Sequence, residues 1–171
     1  MKTKMESMYS NQVWLFIDPP DRVKLIGCKW IYKRKRGVDG KVETFKAWLV
    51  AKSYTQKESF DYEETFSLVA MIKSIRILLS IAPHMDYEIW QMDVKTAFRN
   101  ESLEETIYMV QQEGFIAKGQ KKKVCKLQKS IHGLKQASRS WNLKFDQSVK
   151  SFRFLQSPYE PCVYKGAAVT W

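Results

Sequence analysis

The chain has 171 residues, 44% hydrophobic and 13% aromatic, which is enough apolar material for one well-buried unit and too much for a disordered tail. Charged residues interrupt every run before it reaches the roughly 20 apolar residues of a membrane-spanning helix, and Met1 to Glu6 lacks an apolar signal core, so an intracellular protein, cytoplasmic or nuclear, is expected. The formal charge of +11 favours a polyanionic partner, with nucleic acid the leading class, and with no spanning run no membrane partner is expected.

The charge is concentrated in two stretches. Residues 21–58 carry eleven Lys/Arg against four Asp/Glu, and residues 118–135 carry seven Lys and no acid. Within the first, alternate positions from Cys28 to Tyr32 are apolar ahead of Lys33-Arg34-Lys35-Arg36, the period of a strand with a basic face. Asp39-Gly40 predicts a hairpin, because Gly supplies the positive φ of a tight turn, and the return strand is expected from Lys41 to about Tyr54. Such a hairpin suits either a surface that grips phosphates or an ordinary solvated face.

Helical spacing follows over Lys73 to Ala82, with Ser74 placed to cap and Pro83 expected to end or kink the helix. Tyr87 to Met92 is apolar on both faces, predicting a central strand, and Asp93 at its end would be a buried carboxylate in need of a cation or hydrogen bonds. Residues 96–100 form an expected turn, and Leu103 to Val110 a short helix or strand. Val124 to Leu127 is a predicted strand, Gly133 a bend, and Ser138 to Phe152 a helix with Trp141, Phe145, Val149 and Phe152 on one face. Cys162 to Tyr164 is the last predicted strand. Cys28, Cys125 and Cys162 lie far apart without metal-ligand spacing and are expected to be reduced core thiols.

Several runs have a distinctive wording. Gly27-Cys28-Lys29-Trp30-Ile31-Tyr32-Lys33, Leu49-Val50-Ala51-Lys52 with Tyr54-Thr55-Gln56, Asp61-Tyr62-Glu63-Glu64-Thr65-Phe66-Ser67 and Gln91-Met92-Asp93-Val94-Lys95-Thr96-Ala97-Phe98 occur in that order. Glu113-Gly114-Phe115, Val124-Cys125-Lys126-Leu127 and Gly133-Leu134-Lys135-Gln136-Ala137 with Arg139 and Trp141 follow them. Together they resemble the reverse transcriptase domain of copia-type retrotransposons, whose Pol polyprotein contains an RNA-directed DNA polymerase.

The resemblance implies an α+β, partial right-hand polymerase fold: a fingers hairpin region over about 21–72, then palm and adjoining fingers segments over 73–171 with ferredoxin-like connectivity. It implies an RNA or DNA template-primer and deoxynucleotides as partners, and two Mg2+ ions as cofactor. Asp93 matches the first catalytic carboxylate, and the Val94 carbonyl would be a further metal ligand. Phe98 matches the aromatic gate that excludes a ribose 2′-hydroxyl, although a plain core phenylalanine is the alternative from the residues alone. Gly133 and Lys135 fall in the template-and-nucleotide loop. Lys46 and Lys52 are candidates for the nucleotide, and Lys29 and Lys33 for nucleic acid.

The family carries Tyr-Val-Asp-Asp shortly after the strand matching Cys162-Val163-Tyr164, and this sequence reaches Trp171 without it. A palm without that hairpin is expected to leave strand edges and an apolar face exposed. The isolated chain is therefore expected to be an inactive remnant, or alternatively a non-catalytic basic nucleic-acid-binding module. Trp48 for a usual Arg, Ser53 for Gly, Leu68 for Pro, His132 for Tyr, Ser138 for Pro, and Arg99 and Glu101 in the turn after the gate are further departures. The sequence is silent on oligomeric state.

Overall fold

The structure, a computed structural model, describes residues 2–59, 61–63, 65, 69–94, 96–99, 103–116 and 119–166. Lys118, Leu68, Lys95, Glu101, the Phe66-Ser67 end of one motif run and residues 167–171 lie outside them. The architecture is mixed α and β, as expected.

Helix α1 spans Lys2–Ser10 and buries Met5 and Met8, one turn apart on a single face. It ends by local chemistry: Gln12 takes φ +50°, while its N–H donates to the Tyr9 carbonyl and the Val13 N–H donates to Met8. These bonds satisfy two carbonyls the helix would leave orphaned and tuck Val13 into the core beside Met8.

Four strands form the central sheet in the order β1 (Trp14–Ile17), β6 (Val124–Leu127), β5 (Tyr108–Met109) and β2 (Leu25–Ile26). β1 and β5 run antiparallel to β6, and β2 runs parallel to β5. Val13, Met109, Cys125 and Ile131 are almost wholly buried around this sheet. Each such side chain contributes about 1.5–3 kcal/mol relative to exposure when it is as large as Val, Met or Ile. The N-terminal 17 residues thus supply α1 and an edge strand that the sequence reading did not anticipate.

The basic hairpin forms as expected. β3 (Cys28–Arg36) pairs antiparallel with β4 (Val42–Ala51) from Cys28 opposite Ala51 out to Arg36 opposite Val42, with one irregularity between Lys35 and Arg36. Gly40 at φ +76° makes the turn, and Asp39 Oδ1 accepts the Lys41 N–H at 3.1 Å. The return strand ends at Ala51 rather than Tyr54, because Ser53–Thr55 winds into a 3-10 turn.

Helix α2 (Ile72–His84) is longer than expected at both ends. Met71, not Ser74, is its N-cap; the Ser74 hydroxyl lies inside the helix and donates to Glu160 at 2.9 Å. Pro83 does not stop the helix ahead of itself but lies in the last turn, one residue before the end, where its missing N–H forfeits only one bond. The helix closes two residues later, with Asp86 at φ +55° and the Tyr87 N–H on the Ala82 carbonyl. Its apolar side chains are largely uncovered: Ile72, Ile75, Leu78 and Leu79 are all exposed and only Ala82 is buried.

The largest correction concerns residues 87–92. They are not a buried central strand: no strand is formed there, and Trp90 and Met92 are 82% and 92% exposed. A two-sided apolar run becomes a strand only when neighbours cover both faces and pair both edges, and no described strand pairs with this one. Asp93 is correspondingly exposed, not a buried carboxylate.

Helix α3 (Ala137–Ser151) matches its expected span closely. Trp141 and Phe145 pack ring to ring at 6.0 Å, and Phe145 meets Tyr164 edge-on at 5.8 Å, but Phe152 lies past the helix end and is 76% exposed. The last strand is shifted: β8 is Tyr164–Gly166 and pairs with β7 (Phe154–Gln156). The cysteines are free, with Cys125 buried and Cys28 and Cys162 half-buried. Among the described residues no helix is long and apolar enough to cross a membrane.

Candidate nucleotide and nucleic-acid site

A cavity of about 320 Å³ opens where distant parts of the chain meet. It is lined by Lys46 and Trp48 of β4, residues 93–94 and 96–98, Ile131 and His132, and Lys4 and Met8 of α1. Of the expected site residues, Asp93, Val94, Phe98 and Lys46 line this one space. They come from segments some fifty residues apart in sequence, so only the folded chain gathers them.

Phe98 sits in the 3-10 turn Ala97–Arg99 and packs partly against the core. The His132 ring meets it edge-on, with centroids 4.9 Å apart and an 80° angle between planes. That geometry places the electron-poor edge of one ring against the other's face and holds the phenyl group at the cavity wall. Trp48 also lines the cavity, giving it an indole beside Lys46.

Gly133 and Lys135 do not line the cavity; they follow its Ile131-His132 wall directly in the chain. Gly133 is exposed and takes φ +92°, and an added Cβ would land on the Ala51 carbonyl oxygen. The Ala51 N–H donates to the His132 carbonyl at 2.8 Å, so the loop and the base of β4 touch backbone to backbone. Lys52 lies outside the cavity, half-buried beside Gly27, whose carbonyl accepts its N–H at 2.8 Å.

The hairpin separates two chemistries by strand alternation. Cys28, Trp30, Tyr32 and Arg34 share one face with Ala51, Leu49, Ala47 and Phe45; at the base this face joins the core. The other face carries Lys29, Ile31, Lys33 and Lys35 opposite Val50, Trp48, Lys46 and Thr44. Lys33 stands directly across from Lys46. Like charges held at that spacing repel, and an anion laid between them relieves the repulsion.

Away from the cavity, burial raises the Asp61 carboxyl, but the Lys24 ammonium at 2.6 Å and the Lys57 N–H at 2.7 Å outweigh it and hold Asp61 below the ordinary carboxylate range. Burial pushes the Cys28 thiol up to about 11 and the Cys125 thiol up to about 12, so both are inert neutral groups.

As to metal, Asp93 offers a hard carboxylate oxygen at the cavity wall. Among the described residues no three His, Cys, Asp or Glu side chains cluster as a closed metal cage. Mg2+ is commonly held by one or two carboxylates together with substrate phosphates and water, so Asp93 fits one corner of such a site. The contribution of α1 went unread because Lys4 and Met8 carry no motif; the one signal was the Met5 and Met8 spacing.

The family model described as reverse transcriptase (RNA-dependent DNA polymerase) matches residues 11–168. The chain is 46% identical over 164 residues to the retrovirus-related Pol polyprotein from transposon TNT 1-94 of Nicotiana tabacum, covering 96% of this chain and 12% of that protein. It is 40% identical over 158 residues to the Pol polyprotein from transposon RE1 of Arabidopsis thaliana, covering 92% of this chain and 11% of that protein. A transposon Ty1-BL Gag-Pol polyprotein of Saccharomyces cerevisiae is 30% identical over 163 residues, covering 90% of the chain and 8% of that protein. No solved structure matches the chain. The chain belongs to the reverse transcriptase (RNA-dependent DNA polymerase) family and is a reverse transcriptase domain of the kind carried by retrotransposon Pol polyproteins.

Proposed function

We propose that the 320 Å³ cavity is the deoxynucleotide cleft of a partial right-hand polymerase, with the β3/β4 hairpin as fingers and residues 73–171 as palm and adjoining fingers segments. The observation that carries this reading is the meeting of Lys46, from β4, with Asp93 and Phe98, from one distant segment, around one space. Lys46 would bind triphosphate oxygens, and the lysine face with Lys29 and Lys33 would track a template-primer backbone. Phe98, held by His132, would occupy the space of a ribose 2′-hydroxyl. Asp93 and the Val94 carbonyl would hold Mg2+, which when bound supplies charge neutralisation at the phosphates. Trp48 gives the cleft an apolar wall on which a base or sugar can rest, in place of a fixed positive charge.

A two-ion centre needs more carboxylates than Asp93, the single one among the described residues that line the cavity, so these residues alone would bind nucleotide and template without extending a primer. Calorimetric titration with dGTP in MgCl2 tests the cleft. Binding that weakens in Lys46→Ala and Asp93→Ala supports it, whereas no binding, or binding indifferent to both changes, overturns it. Primer extension abolished by Asp93→Ala would overturn the non-extending part alone.

A further inference from the structure

Gln56 and Gln136 occupy two of the motif runs, and the cavity uses neither. Both are almost wholly buried, at 7% and 3% exposure, where an unsatisfied amide is costly. Their hydrogen bonds form a chain with one direction. The Lys135 backbone N–H donates to Gln56 Oε1 at 3.1 Å, and Gln56 Nε2 donates to Gln136 Oε1 at 3.1 Å. Gln136 Nε2 then donates to the Asp61 carbonyl at 3.4 Å. A peptide N–H can only donate, so it fixes which way the Gln56 amide faces, and Gln56 in turn fixes Gln136. The Asp61 carboxylate, tied to Lys24 and the Lys57 N–H, anchors the far end.

The chain joins three segments: the turn after β4, the loop at Asp61, and the loop Ile131 to Gln136. That last loop supplies the His132 ring that holds Phe98, and Gln136 is also the N-cap residue of α3. Gly133 removes the side chain that would keep this loop off Ala51. Contact without a Cβ allows close approach but does not set register. The amide chain does.

We propose that Gln56 is a positioning residue for the nucleotide cleft, fixing the Ile131 to Gln136 loop against the base of β4 and so setting where His132 holds Phe98. The inference rests on reading the cavity as that cleft. Gln56 touches no reacting atom; it acts through Lys135 and Gln136.

The test compares the unsubstituted chain with Gln56→Leu and Gln56→Glu, each titrated with dGTP and with GTP in MgCl2 well below its melting temperature. Leu removes both hydrogen bonds at similar volume. Glu still accepts from the Lys135 N–H but sets an acceptor against Gln136 Oε1. The expected result is roughly tenfold weaker dGTP binding in Gln56→Leu with a reduced dGTP-to-GTP preference, and a smaller loss in Gln56→Glu. Faster amide exchange at residues 131–136 should accompany it. Unchanged dGTP affinity and preference in a folded Gln56→Leu protein would show a merely structural amide pair and overturn the inference alone. Failure of the unsubstituted chain to bind dGTP would overturn the proposed cleft and the inference with it.

Discussion

Replacing Gly133 by Ala, with Gly40→Ala as its control, isolates the close approach at the edge of the cleft. Both glycines have positive φ, at +92° and +76°, so both substitutions force an L side chain into the left-handed region at about 1–2 kcal/mol. Around Gly40 an added Cβ meets nothing within 4 Å, so the cost ends there. At Gly133 the Cβ would fall on the Ala51 carbonyl oxygen and 2.6 Å from Val50 Cγ1. Relieving that overlap moves the His132-Gly133 peptide away from β4 and breaks the Ala51-to-His132 hydrogen bond of 2.8 Å. Losing a buried backbone bond adds about 1–3 kcal/mol, bringing Gly133→Ala to about 2–5 kcal/mol. At roughly 3 °C per kcal/mol for a chain of this size, the melting temperature should fall by about 6–15 °C for Gly133→Ala and 3–6 °C for Gly40→Ala. Thermal melts by circular dichroism measure both. Equal losses in the two variants would refute the backbone contact between the loop and β4.

Leu49, 1% exposed in the core at the base of the hairpin, should cost about 2.7–5 kcal/mol on replacement by Ala, read as a lower urea midpoint; a loss under 1 kcal/mol would mean the site collapses or is not buried. The folded Asp61 carboxyl titrates below its unfolded value of about 4. Its stabilisation is therefore complete above that pH and lost as pH falls through the folded pKa. Asp61→Asn should flatten the fall in urea midpoint below about pH 4 while leaving stability lower at pH 7, and an unaltered acid slope would contradict the Lys24 pairing. Lys33→Ala should lower the slope of log affinity for an RNA-DNA duplex against log salt by about 1, with no change in slope arguing against phosphate contact there. At pH 8, a thiol reagent should modify Cys125 only as fast as the chain opens, since burial holds its thiol at about 12; rapid labelling would show the core is not closed around it.

The residues alone were enough for whatever is decided within a few positions. Asp39-Gly40 between alternating runs determines the hairpin, Val124 to Leu127 its strand, and the 3.6-residue spacing from Trp141 determines α3, because turn chemistry and periodicity act locally. The motif runs likewise carry the family in their residue order alone. Tertiary structure decided what depends on neighbours. The apolar run Tyr87 to Met92 has the composition of a central strand, yet it lies open because no described strand covers or pairs with it. Ser74 has the chemistry of a cap but was drawn to Glu160 from across the fold. The shared cavity of Asp93 and Lys46, and the direction of the Gln56-Gln136 amide chain, join segments tens of residues apart. Such arrangements arise only when packing brings distant backbones together and burial makes unsatisfied amides costly, and neither condition is written in spacing along the chain.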